Sequence, residues 1–182
     1  RETKLRSNVK RYSEELAASS LDLPSYFFYP EKPVASSRPV TREVIVAEAQ
    51  MLSDSVGMVT ITNFDSRCAQ ETIAAIDRLV EQGATALIFD VRNNPGGYAH
   101  ELVKLLDYLL PEGDLFRSLY YTGDEEVDTS DVNCLEMPMA VLMNADSYSA
   151  AEFFAAALTE YERAVTVGEP TSGKGRFQQT IT

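Results

Sequence analysis

The sequence is poor in the residues that most often mark a metal site or a histidine-based active site. It contains one histidine, His100, and two cysteines, Cys68 and Cys134, which show neither C-x-x-C spacing nor a nearby histidine. We therefore expect no metal and no cofactor. Cys68 lies on a predicted helix and Cys134 in a predicted loop, neither of them in a basic setting that would activate a thiolate. One disulfide is possible but not required, so the cysteines do not indicate whether the protein works in an oxidising or a reducing compartment.

Positive charge and long apolar runs are also scarce. The chain has 16 Lys and Arg against 28 Asp and Glu, a net charge of −12, and no basic patch stands out. This balance argues against nucleic acid and anionic membranes as main partners. No apolar run approaches the roughly eighteen residues that a membrane-spanning helix needs. The densest acidic run, residues 124–131, is predicted to be a solvated loop.

The length of 182 residues predicts one domain with a sizeable core. Residues 3–19 have apolar side chains at helical spacing, and prolines then break regular structure through about residue 38. We interpret residues 1–38 as a helix followed by a Pro/Ser-rich linker, or as the remnant of a neighbouring module, and residues 39–182 as the core. Because the chain begins with neither methionine nor a signal sequence, we expect it to be a piece of a longer protein.

From residue 57 onward, apolar strands and amphipathic helices alternate. An edge strand is expected at residues 40–46. Further strands are expected at residues 58–62, 85–90, 115–121, 139–143, 164–167 and 176–181. Helices are expected from a Ser66 cap to Gly83, from Gly97 to about Leu110, and over residues 149–161. This pattern predicts an α/β fold with a largely parallel sheet and helices packed on its faces. The core is expected to continue beyond Thr182.

The predicted helices have distinct inward faces. In the first helix, the apolar residues at helical spacing are Ala69, Ile73, Ile76 and Val80. In the second, they are Leu102, Leu105, Leu106 and Leu109.

Ser149 stands between an apolar strand and an alanine-rich helix, in the stretch NADSYSAAE (residues 144–152). With Glu152 it forms the S-x-x-E pattern of a capping box, which is its simplest interpretation. A nucleophilic role is compatible with capping, because the unpaired N–H groups at a helix start would stabilise an oxyanion.

Lys174 follows another apolar strand, in the stretch GEPTSGKGRFQ (residues 168–178). A serine needs a base, and a desolvated lysine can supply one. A surface lysine in a glycine-rich turn is the alternative. The stretch also nearly matches a phosphate-binding loop, but Gly175 replaces the magnesium-binding Ser or Thr, and a strand rather than a helix is expected to follow. An NTPase is therefore disfavoured.

A third stretch, NNPGG (residues 93–97), follows the predicted strand that ends at Asp90. It is either a plain strand-to-helix turn or an anion nest whose Gly96 and Gly97 N–H groups point into a crevice. Asp90 and Arg92 are expected to brace the turn. His100 comes three residues later, and a Ser-His-Asp triad with Ser149 stays open as an alternative.

These stretches together resemble the C-terminal processing (tail-specific) serine peptidases, over residues 57–181. The shared motifs keep their order along the chain. They are DVRNNPGG (residues 90–97), SYSAAE (residues 147–152), GEPTSGKG (residues 168–175) and Gln178.

The resemblance implies a ClpP/crotonase-like fold of stacked ββα units. It implies a peptidase whose nucleophile is Ser149 and whose general base is Lys174, oriented by Gln178. The N–H groups of Ala150 and of Gly96 or Gly97 are implied to form the oxyanion hole. Asn94 and Glu152 belong to the same motifs and are expected to support the site.

The resemblance also implies a polypeptide substrate bound by its C-terminal tail and a location outside the cytoplasm. A PDZ domain often precedes the family's core, and residues 1–38 are too short to form one. An oligomer is possible. Tyr148 and Ala151 stand where alanine and serine are frequent in the family. The alternatives on the same fold are a non-catalytic module that binds peptide or a lipophilic ligand, and acyl-CoA chemistry.

Overall fold

The computed structural model of the chain describes residues 46–174. The predicted helix over residues 3–19, the linker, most of the expected edge strand at residues 40–46, and the expected strand at residues 176–181 lie outside this range. Gln178 also lies outside it. Val46 is described, and it precedes the first strand rather than belonging to it.

The main sheet has five strands: β1 (Ala47–Met51), β2 (Val56–Ile61), β3 (Ala86–Asp90), β6 (Met139–Met143) and β7 (Ala164–Gly168). They lie in the order β1-β2-β3-β6-β7. β1 pairs antiparallel with β2, whereas β2, β3, β6 and β7 run parallel to one another. This arrangement confirms the prediction of an α/β fold with a largely parallel sheet.

Three helices connect these strands, namely α1 (Cys68–Glu81), α2 (Ala99–Leu109) and α3 (Ala150–Glu160). Residues from all three helices share one hydrophobic cluster with Val59, Leu87 and Val141 of the sheet. Ile88 and Leu142 point to the opposite face, where a smaller apolar cluster is also buried. The helices of residues 46–174 all contribute to the cluster on one face of the sheet.

The inward face of α2 is confirmed, because its four predicted leucines are buried. The inward face of α1 was only partly predicted: Leu79 is buried, whereas Val80 is 40% exposed. Ser66 was also wrong as a cap. Arg67 is the N-cap residue, and the Glu101 carboxylate, which comes from α2, accepts the Ala69 N–H at 3.0 Å.

The acidic run that we predicted to be a loop is largely a strand, β5 (Glu125–Ser130). It pairs antiparallel with β4 (Gly113–Leu119) to form a separate two-stranded sheet. Arg117 forms ion pairs with both Asp114 and Glu125, so part of the acidic charge is compensated within the hairpin. Because most side chains of β5 remain exposed, its acidic residues keep the solvation that a loop would have given them.

Three loops leave the carboxyl ends of adjacent parallel strands and meet at one edge of the sheet. Asp90, at the end of β3, pairs with Leu142 of β6, and Met143 pairs with Gly168 at the end of β7. The turn after β3, the loop before α3 and the loop after β7 therefore start side by side. In parallel sheets, ligands bind at this edge. No helix within residues 46–174 is long and apolar enough to cross a bilayer.

Candidate active site

Ser149 has a strained backbone conformation at the start of α3. Its φ and ψ angles are 56° and −114°, and only two other non-glycine residues in the described part of the chain have positive φ. This conformation costs a side-chain-bearing residue about 1–3 kcal/mol and occurs preferentially at functional sites. A strained turn between a strand and a helix is also the geometry that exposes a nucleophilic serine in many hydrolases.

Ser149 and Glu152 form the predicted capping box. The Ser149 N–H donates to Glu152 Oε2 at 2.8 Å. The Glu152 N–H donates at 2.9 Å to the carbonyl oxygen of Ser149, and it also faces the Ser149 side chain, as a capping box requires. The serine and the carboxylate therefore hold the helix start together.

The glycine turn packs directly against Ser149. A Cβ atom on Gly96 would lie 2.6 Å from the Tyr148 carbonyl oxygen and 2.8 Å from Ser149 Cβ. Gly96 also has a φ of +87°, which favours glycine. Glycine at this position therefore permits the close approach of the turn to the serine.

Replacing Gly96 by alanine should therefore displace Ser149. We expect the peptidase activity that the family resemblance implies to fall by about 10²-fold, because misplacement of a reacting group by about 1 Å costs that much. We also expect unfolding to become easier by about 1–3 kcal/mol. Peptide cleavage and thermal melting measure the two effects.

Gly123→Ala is the matched control for Gly96→Ala. Gly123 has a similar φ of +90°, but nothing lies within 4 Å of its would-be Cβ. This variant should lose some stability from backbone strain and keep its activity. Wild-type cleavage by Gly96→Ala would contradict the proposed role of the close contact.

Asn94 connects the glycine turn with both neighbouring segments and is fully buried. Its Nδ2 donates to the Ile61 carbonyl at 2.7 Å, and its Oδ1 accepts the Gly96 N–H at 2.8 Å. Its carbonyl oxygen accepts the Tyr148 N–H at 2.9 Å. The Gly96 N–H is thus committed to Asn94.

Two backbone donors at the site have no hydrogen-bond acceptor among residues 46–174. They are the N–H of Gly97 and that of Ala150, the residue after Ser149. These two donors lie on segments that pack closely together. A Cβ atom on Gly96, the residue before Gly97, would lie 2.9 Å from the Ala150 nitrogen. Donors of this kind can stabilise a developing oxyanion.

Further side chains brace the turn. The Arg92 guanidinium forms a two-point ion pair with Asp90, with N–O distances of 2.9 and 2.7 Å. Asn144 accepts the Asn93 N–H at 2.9 Å and donates to Asn93 Oδ1 at 2.8 Å, joining the turn to the loop before α3. This asparagine pair was not predicted; asparagine at a strand end, where it favours turns, was the available signal.

Ser147 was also missed. It is fully buried, and its hydroxyl donates to the Val91 carbonyl at 2.8 Å. The Asn144 N–H in turn donates to Ser147 Oγ at 3.0 Å. This serine therefore fixes the loop in front of Ser149 to the end of β3.

Glu152 joins the serine and the lysine segments. Its Oε2 accepts the Ser149 N–H at 2.8 Å and the Lys174 N–H at 3.0 Å, so both backbones are held by one oxygen atom. Its Oε1 accepts the Gly173 N–H at 2.6 Å, and Ser172 Oγ donates to Oε2 at 3.1 Å. Residues 25 positions apart in sequence are thereby brought into one site.

The protonation state of Glu152 supports this linkage. Burial alone would raise the pKa of its carboxyl, but the hydrogen bonds that it accepts outweigh burial, and the pKa is lowered. The donors are Thr171, Gly173, Ser149 and Ser172. A lowered pKa on folding means that the carboxylate contributes stability above its unfolded pKa of about 4.3 and loses that contribution as the pH falls through the folded pKa. The linkage is therefore intact at neutral pH.

Replacing Glu152 by glutamine should loosen the segment that carries Lys174. The amide retains one accepting oxygen and presents an NH₂ group to backbone donors, so at least one of the backbone N–H groups that now donate to Glu152 loses its partner. We expect a stability loss of about 1–3 kcal/mol and a fall in cleavage of about 10²-fold. Glu160→Gln, an exposed change at the other end of α3, is the matched control. Unchanged melting and cleavage in Glu152→Gln would contradict the linkage.

Lys174 lies at the site, but its amine forms no hydrogen bond with the Ser149 hydroxyl. Lys174 Nζ lies 4.7 Å from the centroid of the Tyr148 ring. Within residues 46–174, no hydrogen bond connects Nζ to Ser149 Oγ. The two segments are therefore adjacent, and the lysine amine lies over the ring of Tyr148, the residue before Ser149.

His100 and the cysteines lie apart from this arrangement. The His100 ring stacks on Tyr98 with centroids 5.3 Å apart, and its Nε2 lies 3.6 Å from Glu101, so nothing described joins it to Ser149. Both cysteines are free thiols. Burial raises the pKa of Cys68 to about 12, which leaves its thiol protonated and unreactive.

Comparison with known proteins decides the family. The model of peptidase family S41 matches residues 55–182, more than half of the chain. The chain belongs to peptidase family S41. This match includes the stretches around Ser149 and Lys174 and removes the NTPase interpretation.

Curated S41 relatives include C-terminal processing proteases. The chain is 31% identical over 169 residues to a carboxyl-terminal-processing protease of Synechocystis sp., covering 92% of this chain and 39% of that protein. It is 33% identical over 144 residues to the carboxy-terminal processing protease CtpA of Bacillus subtilis, covering 76% of this chain and 31% of that protein. The chain therefore spans less than half the length of these relatives.

A solved structure shows the same fold. The photosystem II D1 C-terminal processing protease matches with a TM-score of 0.62 and 32% identity, over 68% of this chain and 33% of that one. The predicted resemblance to C-terminal processing peptidases is confirmed.

Proposed function

We propose that the protein containing this chain is a serine endopeptidase that cleaves polypeptides near their C-terminal tails. One observation carries the proposal: a strained serine at a helix start shares a carboxylate oxygen with the backbone of Lys174. The combination supplies a nucleophile and a candidate base at one site.

In the proposed reaction, Ser149 Oγ attacks the scissile carbonyl while the neutral Lys174 amine takes the hydroxyl proton. The negative charge on the carbonyl oxygen is stabilised by the N–H groups of Ala150 and Gly97. The intermediate collapses, the new amino terminus leaves with the proton from Lys174, and an acyl-enzyme ester remains. Water then attacks this ester with Lys174 again as the base, which regenerates Ser149.

Gln178 is proposed to orient the Lys174 amine, as in the family motif. No metal or cofactor takes part in this scheme. The substrate is proposed to be a polypeptide with a free C-terminal tail, because the relatives are named as C-terminal processing proteases. In the longer protein, a PDZ domain would select the tail. We further propose a location outside the cytoplasm.

Pre-steady-state cleavage by the full-length protein tests this proposal. A polypeptide with a free C-terminus is mixed with enzyme, and the first product is followed on the millisecond to second scale. An acyl-enzyme mechanism predicts a burst of product close to the enzyme concentration, with an acyl adduct on Ser149 detectable by mass spectrometry. Tight binding of the polypeptide with neither burst nor turnover would instead indicate a binding module on the same fold.

A further inference from the structure

Among residues 46–174, the Lys174 amine forms a cation–π interaction with Tyr148 and neither a hydrogen bond nor an ion pair. Its ring is partly exposed, and Lys174 Nζ lies 4.7 Å from the ring centroid, well within the range of a cation–π interaction. The lysine amine therefore interacts with the Tyr148 ring, whereas the proposed mechanism requires it to interact with the Ser149 hydroxyl.

The backbones of both partners are fixed. The Tyr148 N–H donates to the Asn94 carbonyl at 2.9 Å, and the Tyr148 carbonyl accepts the Ala151 N–H at 3.1 Å. The Lys174 N–H is held by Glu152. Only the flexible lysine side chain needs to move for its amine to leave the ring and approach the serine.

The chemistry of the contact favours one form of the lysine. The face of an aromatic ring attracts a cation through its quadrupole. A neutral amine lacks that attraction, yet a general base must be neutral. The Tyr148 ring therefore attracts the side chain to a position where its amine does not hydrogen-bond to Ser149.

We propose that Tyr148 is a positioning residue that holds the Lys174 side chain off the Ser149 hydroxyl in the free enzyme. The lysine serves as the base when its side chain turns from the ring to the serine. This inference rests on the proposed Ser149–Lys174 dyad.

NMR of full-length protein with ¹³C-labelled lysine tests the contact directly. The Lys174 Cε–H signal, identified by its loss in Lys174→Ala, should be shifted upfield by the ring current of Tyr148. Tyr148→Phe keeps the ring and should keep the shift, whereas Tyr148→Leu should remove it. Tyr121→Leu, at a 91% exposed tyrosine on the β4–β5 hairpin, is the matched control. An identical Lys174 signal in wild type and Tyr148→Leu would overturn the proposal.

The rate of Ser149 labelling by a fluorophosphonate tests the consequence. Removing an exposed cation–π contact should raise the labelling rate of Tyr148→Leu about two- to fivefold, with Tyr148→Phe close to wild type. An equal or slower rate in Tyr148→Leu would overturn the positioning role. If wild-type Ser149 is not labelled at all, the proposed function fails, and the NMR signal still decides whether the ring holds the amine.

Discussion

Replacing Ser149 by alanine should abolish polypeptide cleavage by the full-length protein while leaving its fold intact. In serine proteases, loss of the nucleophile lowers kcat on the order of 10⁶-fold, and we expect a loss of that size here. The change removes only the hydroxyl oxygen, which is the serine half of the capping box, so the cost to folding should be about 1 kcal/mol. Cleavage is measured by mass spectrometry of the products, and folding by thermal melting.

A second substitution at this position separates chemistry from strain. Ser149→Gly should also be inactive, but it should be more stable than Ser149→Ala by about 1–3 kcal/mol, because glycine adopts a φ of 56° without strain. Cleavage by Ser149→Ala at more than a hundredth of the wild-type rate would show that another residue is the nucleophile.

Replacing Lys174 by alanine should produce the second large loss. A general base contributes about 10²–10⁴-fold, and we expect kcat for polypeptide cleavage to fall by at least that factor. The backbone hydrogen bond from Lys174 to Glu152 does not depend on the side chain, so the loop should keep its place.

Two further variants show whether the loss comes from the missing base or from the missing charge. Lys174→Arg keeps the positive charge but cannot give up its proton, so it should be as inactive as Lys174→Ala if the residue is a base. Lys104→Ala changes an exposed lysine paired with Glu101 and should cleave at the wild-type rate. Activity in Lys174→Arg near that of wild type would show that charge, rather than basicity, is what the reaction requires.

Local patterns predicted most of the sheet and helices. The run ALIFD became β3 because four consecutive apolar residues can only be buried on both faces of a central strand. The leucines of α2 fell on one face because their spacing matches the helical period. The S-x-x-E pattern correctly placed the start of α3 at Ser149.

The errors came from interactions between distant segments. Glu101, and not Ser66, satisfies the start of α1, because the packing of α2 brings a buried carboxylate to it. The acidic segment at residues 125–130 became a strand because β4 lies beside it and provides hydrogen bonds and Arg117. No local pattern contains that information.

The same contrast between local patterns and interactions of distant segments applies to the candidate active site. The motifs identified Ser149, Lys174 and the glycine turn as candidates, yet they could not show how the loops are connected. Glu152 looked like an ordinary helix cap, and the structure also has it accepting the Lys174 N–H. Tyr148 was noted only as a departure from the alanine that is frequent in the family, and the structure places its ring 4.7 Å from the lysine amine.

Active-site labelling of the full-length protein tests the central claim most directly. A fluorophosphonate should form one adduct, mapped to Ser149 by mass spectrometry, in wild type but not in Ser149→Ala. Its rate should fall by at least about 10²-fold in both Lys174→Ala and Lys174→Arg. Labelling of Ser149 at the wild-type rate in the absence of the Lys174 amine would contradict a base at this position.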